Sequence, residues 1–267
     1  MPSPDAPLGI FDSGVGGLTV FRRIAERLPN ESIIYLGDTA RVPYGTKSSD
    51  TVARYASACA EVLMDRGIKM LVVACNTASA YALDVLRRNL HIPVIGVIEP
   101  GAKRAVSATR NGTIGVIGTA GTIRSGQYQA VIKEYSSNAR VLAKPCPMFV
   151  PLAEEGWLEG DVPLKVAQTY LAGLCSEGID TLVLGCTHYP LLKTVIAEAV
   201  GPGVTLVDSA EATAESVADV LRVQKQQNSG LTGRSHRFLV TDAPETFSRV
   251  GKTFLSSEIE TVEWVDI

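Results

Sequence analysis

Short apolar, β-branched runs alternate along the chain with longer stretches whose apolar residues recur at three- and four-residue spacing, the pattern of strands and helices taking turns in a parallel sheet. Strands are predicted at Leu8 to Phe11, Ile33 to Leu36, Met70 to Ala74, Val94 to Val97, Thr113 to Ile117, Thr181 to Leu184 and Val204 to Val207. Helices are predicted at Leu18 to Leu28, Thr51 to Arg66, Tyr81 to Asn89, Leu164 to Cys175 and Leu191 to Val200. From Arg222 to Arg237 the Gln, Asn, Ser and Gly content predicts a solvated loop. A strand at Phe238 to Thr241, a short helix and a strand at Thr261 to Val265 close an α/β fold.

The pattern repeats within itself. Gly9-Ile10-Phe11-Asp12-Ser13-Gly14 is echoed 106 residues later by Gly115-Val116-Ile117-Gly118-Thr119-Ala120. Leu71-Val72-Val73-Ala74-Cys75-Asn76-Thr77 is echoed 111 residues later by Leu182-Val183-Leu184-Gly185-Cys186-Thr187-His188. Two similar offsets suggest two similar halves, against the alternative that any α/β chain repeats strand-turn-helix units. Both copies of the second motif carry a cysteine just past the apolar run, which favours the duplication.

Composition narrows the class. At roughly 150 residues per domain, 267 residues correspond to about two domains or one large one. With 25 basic and 28 acidic side chains the net charge is −3, so nothing draws the chain as a whole to nucleic acid or an anionic membrane. No apolar run approaches the ~20 residues that span a bilayer. The opening MPSPDAPLGI has neither a basic nor an apolar targeting region, so a cytoplasmic location is expected. Five cysteines without a Cys-x-x-Cys pair indicate neither a disulfide framework nor a zinc cluster.

Candidate chemistry gathers where ligands bind in open parallel sheets, beyond the carboxyl ends of the strands. Cys75 and Cys186 both fall there, each followed by residues suited to a helix N-cap, Asn76-Thr77 and Thr187-His188. Free N–H groups and the positive end of a helix are expected to bring such a thiol down from its ordinary pKa of about 8.5. The alternative, ordinary buried cysteines, is the commoner one for a lone residue. Two in matching contexts favour function. Cys59 and Cys175 lie on predicted helices and read as packing residues, and Cys146, in Pro145-Cys146-Pro147, reads as structural.

Asp12-Ser13-Gly14-Val15-Gly16-Gly17 after the first strand resembles a dinucleotide-binding turn, with Asp38 as the ribose acid, but Thr19 stands where the third glycine is required. The loop can still hold an anionic group through its amides, with Asp12 as a polar orienter or ammonium acceptor; equally, Asp12 and Ser13 could cap the following helix. A Tyr44 hydroxyl and a Gly45 amide in Pro43-Tyr44-Gly45 could line the same cleft. His188, beside a candidate thiol, could act as acid, base or hydrogen-bond donor. His91 and His236 have no such company.

Taken in order, these motifs, with Tyr35-Leu36-Gly37-Asp38, Leu184-Gly185-Cys186-Thr187-His188-Tyr189-Pro190 and Val207-Asp208-Ser209, resemble bacterial glutamate racemase, a cofactor-independent amino-acid racemase, from about Leu8 to about Leu221. The resemblance implies two pseudo-symmetric α/β lobes, 1–97 with 209–267 and 98–208, and a glutamate site in the cleft between them. It implies Cys75 and Cys186 as catalytic acid/bases assisted by Asp12 and His188. It places substrate contacts at Asp12, Ser13, Tyr44, Gly45, Asn76, Thr77, Thr187 and His188. It also implies no cofactor and no metal, a glutamate substrate, no nucleic-acid or membrane partner, a role in peptidoglycan supply and hence cell shape, and leaves a homodimer open.

The chemistry can be argued independently. Inverting an α-carbon without redox removes a proton from one face and delivers one to the other, so two acid/base groups must flank the substrate. Two halves that each offer one thiol supply that geometry. Three rivals stay open: a racemase of aspartate or a hydantoin, a non-catalytic amino-acid-binding module, and a thiol hydrolase, which would need a cysteine, a histidine and an orienting acid in one site.

Overall fold

A computed structural model describes residues 2–230, 233–259 and 261–267; residues 231 and 232, inside the predicted Arg222 to Arg237 loop, lie outside it. In chain order the strands are β1 (Leu8–Asp12), β2 (Ile33–Gly37), β3 (Met70–Val73), β4 (Val94–Gly96), β5 (Thr113–Gly118), β6 (Arg140–Pro145), β7 (Thr181–Gly185), β8 (Thr205–Asp208), β9 (His236–Val240) and β10 (Val262–Trp264). They form two parallel sheets, one ordered β10-β9-β2-β1-β3-β4 and the other β6-β5-β7-β8. The run β2-β1-β3-β4 has the same order as β6-β5-β7-β8, so the sequence repeat is a repeat of topology.

The helices are α1 (Leu18–Arg27), α2 (Ser49–Met64), α3 (Asn76–Asn89), α4 (Ile98–Ala108), α5 (Ala120–Arg124), α6 (Gln127–Tyr135), α7 (Phe149–Glu154), α8 (Asp161–Ser176), α9 (Lys193–Val200), α10 (Ser209–Val223) and α11 (Pro244–Leu255). Strands β1, β2, β3 and β7 are buried throughout, as central strands covered on both faces must be. Alternation divides their side chains. In β1, Ile10 joins Leu18, Ile24, Val217 and Phe254 on the face under α1, α10 and α11, while Phe11 joins Val52, Ala56, Leu63 and Ala78 under α2 and α3. Truncating a side chain as enclosed as Ile10 to alanine costs about 2–5 kcal/mol. The second sheet is covered in the same way, by α7, α8 and α9 on one face and α4 and α6 on the other.

Several elements have no predicted counterpart, namely helices α4, α5, α6, α7 and α10 and strand β6. Strand β6 escapes prediction because Arg140–Pro145 is an edge strand with no buried residue, whose short Val-Leu-Ala run is flanked by Arg140 and Lys144. Helix α10 follows the last strand of the second sheet but returns to pack Ala210, Ala214, Val217 and Leu221 into the core beneath α1. Among the described residues no helix is long and apolar enough to cross a membrane.

Candidate active site

The ends of β1, β2, β3, β5 and β7 converge on one cavity of about 210 Å³. Drug-sized sites run to roughly 300–1,000 Å³, so this is room for a small metabolite. Its polar lining comprises Ser13, Thr39, Tyr44, Gly45, Cys75, Asn76, Thr77 and Thr246 from the half built on the first sheet, with Thr119, Glu154, Cys186, Thr187 and His188 from the half built on the second. An apolar outer part is formed by Val15, Val42, Val150, Phe247 and Val250.

Both thiols therefore face a shared space, one from each sheet, and each is nearly enclosed. Their settings differ. Cys75 is the N-cap of α3, its Sγ accepting a hydrogen bond from Ala78 N at 3.5 Å. The expectation that this position lowers its pKa does not hold: burial, followed by the negative charge of Asp12, pushes Cys75 up to about 12, outweighing the hydrogen bonds from Ser13 and Ala78. The helix end is real but too weak to offset desolvation.

Cys186 does not cap a long helix. The residues after it form a 3-10 turn, Tyr189–Leu192, before α9 begins, and neither Thr187 nor His188 makes a side-chain cap. Instead the Cys186 sulfur lies 3.9 Å from His188 Nδ1, and His188 Nε2 lies 2.8 Å from Glu154 Oε1 at the end of α7. Burial alone would lower the imidazole pKa, but its hydrogen bonds to Cys186 and Glu154 prevail and raise it to about 10. At neutral pH His188 is thus an imidazolium set between a carboxylate and a sulfur.

Asp12 is fully buried, but its Oδ2 accepts from Gly14 N at 2.9 Å, while α1 has Gly17 as its N-cap and no side-chain cap; the capping alternative for Asp12 and Ser13 fails. Burial raises the Asp12 carboxyl above its ordinary pKa, opposed by the charge of His188 and by loop N–H groups. Its Oδ1 has no hydrogen-bond partner among the described residues, an uncommon state for a buried carboxylate oxygen. Gly16 makes this proximity possible: a Cβ there would come within 2.3 Å of Thr187 Oγ1 and 2.4 Å of His188 Nδ1. Thr19 Oγ1 also donates to Thr187 O at 3.1 Å.

Asn76 and Thr77 open α3. Asn76 Oδ1 accepts from Tyr128 OH at 2.7 Å, while its Nδ2 has no partner among the described residues. Thr77 Oγ1 lies 2.9 Å from Thr119 Oγ1 and 3.0 Å from Thr122 Oγ1, a hydroxyl cluster bridging the two halves. Tyr44 and Gly45 line the cavity as expected, but the Tyr44 hydroxyl donates to Asp38, away from it. Every sequence-designated site residue except Asp12, which sits just behind Ser13, lines this one cavity.

Thr119 and Glu154 are among the lining residues the sequence reading missed. Thr119 is the counterpart of Ser13 under the 106-residue offset and could have been found from it. Glu154 carries no local signal, being one exposed acid at the end of a six-residue helix. Cys146 is buried behind the site, with Tyr189 OH donating to its carbonyl at 2.8 Å, and serves packing.

Comparison with known proteins agrees with the geometry. The Asp/Glu/hydantoin racemase family matches residues 9–217. A glutamate racemase of Geobacter metallireducens is 55% identical over 264 residues, 99% of this chain and 98% of the relative. The crystal structure of glutamate racemase from Francisella tularensis in complex with D-glutamate aligns with a TM-score of 0.92 at 39% identity, over 98% of each chain. That from Thermus thermophilus in complex with β-chloro-D-alanine aligns at 0.90 and 44% identity, over 99% of this chain and 98% of that one. An aspartate racemase from Picrophilus torridus shares the fold, at 0.60 and 16% identity. The chain therefore belongs to the Asp/Glu/hydantoin racemase family and, within it, to the glutamate racemases.

Proposed function

We propose that the protein interconverts L- and D-glutamate by a two-thiol mechanism without a cofactor, in a cleft between lobes comprising 1–97 with 209–267 and 98–208. The observation that carries this reading is that Cys75 and Cys186, delivered by equivalent strands of two sheets, line one small cavity. In the L-to-D direction the Cys186 thiolate takes the α-proton, breaking the Cα–H bond, and the Cys75 thiol gives its proton to the opposite face of the carbanion. The proton count is conserved, and the two sulfurs end with their protonation states exchanged. In the D-to-L direction the roles reverse.

The surrounding charges support this division. The raised pKa keeps Cys75 a thiol, ready to donate, and the His188 imidazolium carries the positive charge with which a thiolate at Cys186 pairs. Glu154 orients that imidazole by accepting from Nε2. Asp12 is placed to receive a proton on the Cys75 side, its raised pKa bringing it nearer to the working range. The partnerless Oδ1 of Asp12 and Nδ2 of Asn76 offer an acceptor and a donor for the ammonium and carboxylate of an amino acid. Main-chain N–H groups at the start of α3 and after β7 stabilise charge on the α-carboxylate as the carbanion forms.

Glutamate, rather than aspartate or a hydantoin, is favoured by relatives of 39–55% identity named for glutamate over the whole chain. The reaction supplies D-glutamate for peptidoglycan, in the cytoplasm. The hydrolase alternative gains its orienting acid in Glu154, but leaves a second thiol on the far wall without a use. The test is the circular dichroism of an L-glutamate solution followed to equilibrium with purified protein and no additive. Decay to zero is expected; decay only with pyridoxal phosphate added would overturn the reading.

A further inference from the structure

Asp38 follows β2, is fully buried and does not line the cavity. Its carboxylate nevertheless collects donors from three side chains. Arg41 Nε lies 2.9 Å from Oδ1 and 2.8 Å from Oδ2, Thr241 Oγ1 donates to Oδ1 at 2.9 Å, and the Tyr44 hydroxyl donates to Oδ2. A carboxylate only accepts, so the Tyr44 proton is committed to Asp38 and cannot be directed at a ligand. Burial, reinforced by the negative charge of Asp38 and its hydrogen bond, raises the phenol out of any titration. What Tyr44 presents to the cavity is its ring and the main chain leading to Gly45, both placed by where the hydroxyl is tethered.

Gly45 in turn rests on the other half of the molecule: a Cβ there would approach Thr119 Cβ to 2.6 Å. Asp38 is supported from behind by a segment that carries no recognisable motif. Thr241, just past β9, donates from its N–H to Gly37 O at 3.2 Å and accepts from Ala40 N on its hydroxyl at 2.9 Å, and Trp264 Nε1 donates to Thr241 O at 3.0 Å. The Arg41 guanidinium lies 4.5 Å over the ring of Tyr55 on α2.

We propose that Asp38 is a positioning residue for the loop Pro43-Tyr44-Gly45, clamping the Tyr44 hydroxyl and Arg41 together so that the loop is held at the substrate against Thr119, with Thr241 as second support. This rests on the reading of Tyr44 and Gly45 as substrate contacts. Asp38 itself touches no substrate.

The test compares Asp38→Asn, Tyr44→Phe, the double variant and Thr241→Val with wild type. Asp38→Asn should raise KM for both glutamate enantiomers roughly tenfold, the scale of losing a hydrogen bond to a charged group. Tyr44→Phe should do the same, and the double variant should be no worse than the worse single, because both remove one link. Amide hydrogen exchange over residues 42–48 should accelerate in Asp38→Asn, and by a smaller factor in Thr241→Val, with residues 181–185 unchanged. Additive losses in the double variant, or a lowered melting temperature with KM intact, would overturn the proposal. Exchange settles the matter separately from activity: a wild type that fails to racemise glutamate refutes the substrate reading, while unchanged exchange over 42–48 refutes the positioning role.

Discussion

Cys75 and Cys186 follow equivalent strands, β3 and β7, and look into the same cavity, yet the two sides of that cavity are chemically unlike. On the Cys75 side the neighbours are a buried carboxyl, Asp12, and a helix N-terminus; on the Cys186 side they are an imidazolium and its carboxylate, His188 and Glu154. The repeat itself records where symmetry breaks. Under the offset of 106, Asp12 corresponds to Gly118, and under that of 111, Thr77 corresponds to His188. The repeated scaffold thus brings one thiol from each sheet to a single cavity, while two unmatched positions give the thiols different surroundings. In the proposed mechanism one sulfur begins as base and the other as acid, and these surroundings favour that starting arrangement.

The comparison is broken most severely by removing either sulfur. Cys75→Ser and Cys186→Ser should each lower racemisation by on the order of 10³–10⁴-fold, because a serine hydroxyl is out of pKa range for either role. Each variant should keep one-sided chemistry, seen as elimination from a glutamate analogue bearing a leaving group on its β-carbon. Cys186→Ser should process the D analogue and Cys75→Ser the L analogue. Elimination from the same enantiomer by both would break the assignment of sides.

The helpers give a smaller, directional effect. Racemisation has an equilibrium constant of one, so kcat/KM must fall equally in both directions and cannot report sidedness; irreversible elimination can. His188→Asn should slow elimination from the L analogue by about 10²-fold and from the D analogue less, with Asp12→Asn reversed. Equal losses on both analogues would mean that neither residue belongs to one thiol. Gly16→Ala sharpens the seam between the sides. Its Cβ would collide with Thr187 and His188, so kcat should fall with destabilisation of about 1–3 kcal/mol.

The smallest effect is on stability against pH. His188 binds its proton more tightly folded than unfolded, so its contribution is complete below about pH 6.5 and is lost as pH rises through about 10. Cys75, held as a thiol up to about 12, adds loss above the unfolded thiol's titration near 9. Urea midpoints of the wild type should fall steadily from pH 7 to 10, whereas His188→Gln should stay flat until about pH 9. Parallel curves would remove the imidazolium from the account.

Much of this was legible in the chain. Buried central strands announce themselves as continuous apolar runs, which is why β1, β3, β5 and β7 and the two cysteines at their ends could be placed from sequence. Edge strand β6 could not, because half-solvated Arg140 to Pro145 lacks that signal. Electrostatics were the poorest guide: a helix start beside Cys75 was foreseen, though the cap was expected at Asn76-Thr77 and falls on Cys75 itself, and the outcome depends on desolvation and on Asp12, which only the packed fold reveals. Glu154 and the Asp38 clamp share this character, since each is a contact between segments distant in sequence.

The central claim is that two different sulfurs act on opposite faces of one α-carbon. Racemisation of L-glutamate in heavy water, stopped early, tests it most directly. The account predicts deuterium at Cα in nearly all of the newly formed D-glutamate and almost none in the recovered L-glutamate, because the abstracted proton remains on the sulfur facing the substrate it came from. D-glutamate that retains the original protium would mean that a single base carries the proton across, and would contradict it.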